Sequence, residues 1–232
     1  MSMPFYVSPE QMTQDKAEFA RKGIARGRSL ITLEYDEGIL LVAENPLNLS
    51  KIGEIYDRIG FAGVGKYSEF DRLRQLGIQY ADVQGFRFSR EDVRAKALAN
   101  LYSQMIGDEF NRAIKPLEVE IVVAEIGDPE SPAHSANALY NVNFDGSILE
   151  LEGFSVIGGA NDNVKRHVEV NYQENMPLEA ALELGHDALQ RAENGTSDLP
   201  SESLEVCLLD RSRTGRKFVR LTSPDVKEIL TK

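Results

Sequence analysis

Apolar and polar positions repeat with two different periods along this chain, and the switches between them mark most of its elements. Leu30-Ile31-Thr32-Leu33-Glu34-Tyr35 and Ile39-Leu40-Leu41-Val42-Ala43 are apolar runs separated by Asp36-Glu37-Gly38. That pattern predicts a β-hairpin in which Gly38 is free to take a positive φ at the turn. The second run is continuously apolar and is expected to be buried on both faces. Lys51-Ile52 opens a further strand pair that ends in Arg58-Ile59-Gly60-Phe61-Ala62-Gly63-Val64-Gly65. In the second half, residues 118–126 read as a central strand, and 139–144 with 148 onward as a hairpin around Asp145-Gly146-Ser147. Residues 154–159 add a short strand, and 204–209 and 218–221 supply the last two.

A period near 3.6 marks the helices. Ser8-Pro9-Glu10-Gln11 combines an N-cap serine, a proline at the first helical position and a glutamine at capping-box spacing. The helix is expected over 8–22, with Gly23 as its terminator. Its apolar face is thin (Met12, Ala17, Phe19, Ala20). That face fits a surface helix with one anchoring aromatic, and equally a helix packed on a neighbouring chain. Residues 67–76 form a helix ending at Gly77, with Phe70, Leu73 and Leu76 on one side. Ser89-Arg90-Glu91-Asp92 has a capping-box shape and opens a longer helix whose stripe includes Val93, Ala97, Leu101 and Met105. Further helices are read over 161–175, from Met176-Pro177-Leu178 onward, and after Ser223-Pro224-Asp225. Two hairpin-rich halves interleaved with paired helices predict an α+β fold. It is a four-layer αββα sandwich of two antiparallel sheets flanked by helices, with an extra N-terminal helix, in one domain of 232 residues.

Composition narrows the class of function. With 26 Lys+Arg against 37 Asp+Glu, the formal net charge is −11, which argues against nucleic acid as the main partner. One cysteine, Cys207, excludes an intrachain disulfide framework and fits a reducing compartment. No apolar run approaches the roughly 18 residues of a membrane span. Met1-Ser2-Met3-Pro4 lacks the basic and apolar regions of a signal peptide. A cytoplasmic protein is expected.

Candidate chemistry is sparse. Gly60-Phe61-Ala62-Gly63-Val64-Gly65-Lys66-Tyr67 nearly matches a phosphate-binding loop, but Tyr67 cannot supply the small hydroxyl that ligates magnesium. The glycines are read instead as permitting a tight strand-to-helix turn and close packing. His134 falls in a predicted loop, and His167 and His186 on helices, with no nucleophile elbow in the chain. Cys207 falls inside a strand, where a buried thiol is inert. No metal-ligand spacing and no cofactor motif is present. Asn194-Gly195-Thr196 reads as a turn.

Four segments, read together, resemble the α-type subunits of the proteasome core particle in their actinobacterial form. They are Ser8-Pro9-Glu10-Gln11 with 20–27; Val42-Ala43-Glu44-Asn45-Pro46; Lys51-Ile52 with 55–62 and Gly65-Lys66-Tyr67; and Lys115-Pro116 with 118–120 and 123–125. The resemblance implies the sandwich of N-terminal-nucleophile hydrolases. In that family the catalytic members are β-type subunits with a threonine at the mature N-terminus. This chain has a helix before the first strand and Arg28-Ser29 at that strand's start, so a non-catalytic subunit is implied. An autonomous hydrolase of the same fold is the alternative.

Further expectations follow from the resemblance. Lys51 would receive the C-terminal carboxylate of an ATPase or activator tail, in a pocket lined by Gly65 and Lys66. Residues 1–7, with Pro4, Phe5 and Tyr6, would gate the axial pore. The helix from Ser8 and Pro9, with Phe19, Arg21 and Arg26, would contact neighbouring subunits. Partners would be a homo-heptameric α ring, β-type subunits, a hexameric AAA ATPase, and unfolded or Pup-tagged proteins in transit. Because a ring multiplies the acidic charge, cations such as Lys51, Lys66 and Arg26 are expected near the docking surface, with the acidic excess on the outer wall.

Overall fold

The computed structural model describes residues 8–46, 49–130, 135–159, 162–192 and 199–231. Two five-stranded antiparallel sheets stack face to face. One has the order β10-β9-β2-β1-β8 and comprises β1 (Leu30–Tyr35), β2 (Gly38–Glu44), β8 (Phe154–Ile157), β9 (Leu204–Asp210) and β10 (Phe218–Arg220). The other has the order β3-β4-β5-β6-β7 and comprises β3 (Ile52–Tyr56), β4 (Ile59–Gly65), β5 (Val119–Glu125), β6 (Ala138–Val142) and β7 (Ile148–Leu151). Helices α2 (Tyr67–Arg87) and α3 (Ala95–Arg112) cover the second sheet. Helices α4 (Asp162–Asn171), α5 (Leu178–Gln190) and α6 (Ser223–Leu230) cover the first.

Strand alternation sorts the core into three apolar layers. Along β1 and β2, Ile31, Leu33, Leu40 and Val42 face α4–α6. Leu30, Ile39, Leu41 and Ala43 face the other sheet, where they meet Ile52, Ala62, Val64, Val122 and Ala124. Phe61, Ile121 and Val123 face α2 and α3. Helix α1 (Pro9–Ala25) inserts Ala20 and Ile24 into the layer between the sheets. It therefore closes that end of the sandwich rather than joining either outer layer. This is the predicted four-layer fold, and β2 is buried along its whole length as its apolar run requires.

Several local expectations are corrected. Gly23 does not end α1: the helix runs on to Ala25, and a Cβ at Gly23 would sit 2.0 Å from Glu118 Oε2. Gly77 lies mid-way along α2, where a Cβ would sit 1.7 Å from Tyr102 Oη. Both glycines permit close approach, not termination. Gly38 likewise has no positive φ; it opens β2 opposite Asp210, where a Cβ would sit 2.1 Å from Leu209 O. Asp36-Glu37 alone makes the turn, since Tyr35 pairs with Gly38. Ser89 caps only a short 3₁₀ turn, Arg90–Asp92. The long helix starts at Ala95, whose amide donates to the Glu125 carboxylate at 2.8 Å. The described helix after 161 ends at Asn171, and at the C-terminus Thr222, not Ser223, is the N-cap, forming the capping box with Asp225. Residues 60–65 are no phosphate cradle: all lie within β4 and pair with β5, and 60–62 pair with β3 as well, so the stretch is a strand and not a loop wrapped around an anion.

Candidate docking site

Lys51 immediately precedes β3, at the end of the sandwich where β1 begins and β2 ends. Its carbonyl accepts from Gly63 N at 3.0 Å, which ties it to β4. Its half-buried side chain turns toward the other sheet, and Nζ donates to Arg28 O at 3.2 Å and Glu44 O at 2.9 Å. Among the described residues, no carboxylate oxygen lies within ion-pair distance of Nζ; Glu44 is taken by the Arg28 guanidinium at 2.6 Å. Burial pulls the ammonium down to about 8, the Glu44 and Glu205 carboxylates push it back up, and Arg28 adds to the lowering. The ammonium thus donates directly to two carbonyls, with Glu44 and Glu205 acting on it only at longer range, and one of its three donors is left for an anion.

Gly65 lies against the Gly27-Arg28 segment whose carbonyl Lys51 uses. It ends β4 with φ +100°, and a Cβ there would fall 1.9 Å from Glu118 O. A Cβ on Gly27 would meet Gly65 N at 3.2 Å and Arg28 O accepts from Lys51 Nζ, so the Gly27-Arg28 segment touches both Gly65 and Lys51. Lys66 follows as the N-cap of α2, but its Nζ bonds Glu69 Oε1 at 2.9 Å rather than joining Lys51.

Along α1, Ser8 Oγ accepts from Gln11 N at 3.2 Å, with Pro9 at the first position, and Arg26 is the exposed C-cap. Phe19 is 44% exposed with the Lys115 ammonium 5.4 Å above its ring, and the Arg21 guanidinium lies 5.4 Å from the Phe144 ring centroid. Pro4, Phe5 and Tyr6 lie outside the described residues, as do His134 and Asn194-Gly195-Thr196. His167 and His186 sit on α4 and α5, and Cys207 is buried in β9 with its thiol pushed up to about 12 by burial. No described helix is long and apolar enough to cross a membrane.

Local sequence gave no sign of the groups that surround Lys51. Arg28, Glu44 and Glu205 come from three strand ends, and Glu205 contacts Lys51 across 154 positions of sequence. Only the pairing of β9 with β2, which brings Glu205 opposite Ala43, assembles them.

Two stacked antiparallel sheets between helical layers, with α1 across one end, define an αββα protein of the N-terminal-nucleophile hydrolase type. Residues 24–208 match the family model described as Proteasome subunit. Proteasome subunit alpha of Streptosporangium roseum is 50% identical over 232 residues, spanning 99% of this chain and 87% of that protein. Those of Thermomonospora curvata and Frankia alni are 49% and 48% identical, each spanning 99% of this chain and 98% and 97% of their own lengths. The chain belongs to the proteasome subunit family, within which its similarity is to the α-type subunits of actinobacteria.

Proposed function

We propose that this chain is a non-catalytic subunit of the outer ring of a proteasome core particle, and that its Lys51 pocket docks a regulatory ATPase. Copies of it form a heptameric ring on β-type subunits, which carry the proteolysis. Residues 1–7 gate entry, and the ATPase delivers unfolded or Pup-tagged substrates. The observation that carries the docking role is the half-buried Lys51 ammonium, held over two carbonyls with no carboxylate oxygen at ion-pair distance among the described residues. A peptide C-terminus supplies the missing charge in a charge-assisted hydrogen bond.

The non-catalytic role is supported at the start of β1. A nucleophile of this fold class needs a free amine beside its hydroxyl. Here α1 and residues 26–29 lead directly into β1, so the Ser29 nitrogen is an amide. The Ser29 hydroxyl is buried and donates to Gly158 O at 3.2 Å.

Co-expression with a β-type subunit, followed by negative-stain imaging, tests the ring: stacked seven-fold rings are expected, and isolated monomers would refute it. In the assembled particle, Lys51→Ala is expected to abolish ATPase-stimulated degradation and leave assembly intact. Unchanged stimulation would remove the docking role. Deleting residues 1–7 is expected to raise unassisted peptide hydrolysis; no rise would place the gate elsewhere.

A further inference from the structure

Docking at Lys51 leaves the carboxylate behind it without a role. Glu205 is the second residue of β9, and strand alternation turns it inward with Cys207 and Leu209, toward the opposite sheet. It is 7% exposed. Its Oε2 accepts from Asn45 Nδ2 and from Lys51 N, each at 2.8 Å. Its Oε1 accepts from Ile52 N at 3.2 Å and from the Arg220 guanidinium. Arg220 in turn donates to Ile52 O at 2.6 Å. Both backbone polar groups of Ile52, in successive peptide units, are thus held from β9 and β10, although β3 belongs to the other sheet.

We infer that Glu205 is the positioning residue of the Lys51 pocket, clamping the start of β3 from the opposite sheet so that the ammonium is held over the Arg28 and Glu44 carbonyls. The inference rests on the docking role proposed for Lys51.

A buried carboxylate is expensive to desolvate and persists where its acceptor sites are filled by well-placed donors. Glu205 has four such donors, and two of them are the consecutive amides of Lys51 and Ile52. Fixing both amides fixes the direction in which the Lys51 side chain leaves the backbone. Glu205 also acts through charge. The groups facing the ammonium are Glu44 at the end of β2, Glu205 on β9, and Arg28 before β1; Arg220 on β10 faces Glu205. Both carboxylates favour the protonated amine against the burial that disfavours it.

The test uses the assembled core particle and a synthetic peptide ending in the last residues of the partner ATPase, with a free or an amidated C-terminus. Stimulated hydrolysis of a fluorogenic substrate is followed across pH. In the parent particle, stimulation by the free-carboxylate peptide is expected to fall as pH rises through about 8, where Lys51 loses its proton. Glu205→Gln is expected to raise the half-maximal peptide concentration about tenfold and to move that midpoint down by about one pH unit. Glu205→Asp is expected to restore part of both. Glu205→Gln with unchanged affinity and midpoint would overturn the positioning role. If Glu205→Gln prevents assembly, Arg220→Gln keeps the carboxylate and releases one arm of the clamp; weakened docking there supports the role and unchanged docking overturns it. Lys51→Ala separates the two claims. If it leaves docking intact, the docking role itself fails; if it abolishes docking while Glu205→Gln does not weaken it, only the positioning role fails.

Discussion

Glu125 and Glu205 are two buried carboxylates at strand ends, each gripped by arginine and by backbone amides, and they do different things. Glu125 ends β5 and points outward, into the layer between its sheet and the helices. There it accepts from Arg94 Nε at 2.6 Å and Ala95 N at 2.8 Å, and pairs with Arg58 at 3.5 Å. Every one of these partners is scaffold: Glu125 is the N-terminal cap of α3, supplied from a strand because Arg94 offers no side-chain cap of its own. Glu205 points inward, between the sheets, and its amide donors belong to Lys51 and the residue after it. The same chemistry fixes a helix in one layer and a site in the other. What separates them is only which face of its strand each occupies.

The largest effect that would break the comparison is on stability. Glu125→Ala removes the cap of α3 and the shared acceptor of two guanidiniums, and is expected to cost about 3–5 kcal/mol, the range for breaking a buried ion pair. Denaturant unfolding measures it. A cost below about 1 kcal/mol would mean that the α3 terminus is satisfied without it. The variant is not expected to alter the pH at which tail docking is lost, because Glu125 is not among the groups that act on Lys51.

Lys51 sharpens the difference, because pH should move its stability and its function in opposite directions. The amine titrates near 8 in the fold against 10.5 as an exposed lysine. Between those values the unfolded chain binds the proton that the folded chain has released, so this group's contribution to stability rises with pH across that window. Docking needs the charged amine and falls across the lower part of it. Lys51→Met is expected to remove that rise in unfolding free energy between pH 8 and 10 relative to the parent chain. An identical pH dependence in the two proteins would show that the amine titrates at its ordinary value.

The strands, their hairpins and the central position of residues 118–126 were legible because they follow from alternation and short turns, both local properties. The helix boundaries misread at Gly23, Gly77 and Ser89 share one cause. Each depends on a residue far away in sequence: Glu118 against α1, Tyr102 against α2, and Glu125 at the start of α3. Glycine and capping rules describe an isolated helix and cannot anticipate a carboxylate arriving from a strand. The candidate site was harder still. Lys51 is one lysine at a strand entrance, and it gained meaning only through family resemblance. The carbonyls and carboxylates around it converge from β1, β2 and β9, and that convergence is set by sheet order, which the apolar pattern does not encode. Lys66 was expected to line the pocket through the same resemblance, and its ammonium pairs with Glu69, one turn into the helix that it caps.

The smallest expected effect tests whether burial, rather than ion-pair geometry, gives these clamps their weight. Arg90 and Asp57 form a bidentate pair at 2.8 and 2.6 Å, with geometry as good as any around Glu125, and the guanidinium also lies 4.9 Å from the Tyr56 ring centroid. The arginine side chain is 65% exposed. In water the Coulomb gain is screened, and ordering two long side chains offsets most of what remains. Arg90→Ala is therefore expected to leave the unfolding midpoint of the chain within the scatter of repeat measurements, and tail docking unchanged. A loss approaching that of Glu125→Ala would mean that close bidentate contact is sufficient wherever it occurs. The contrast between Glu125 and Glu205 would then concern the partners each one holds, and not the dry layers in which they hold them.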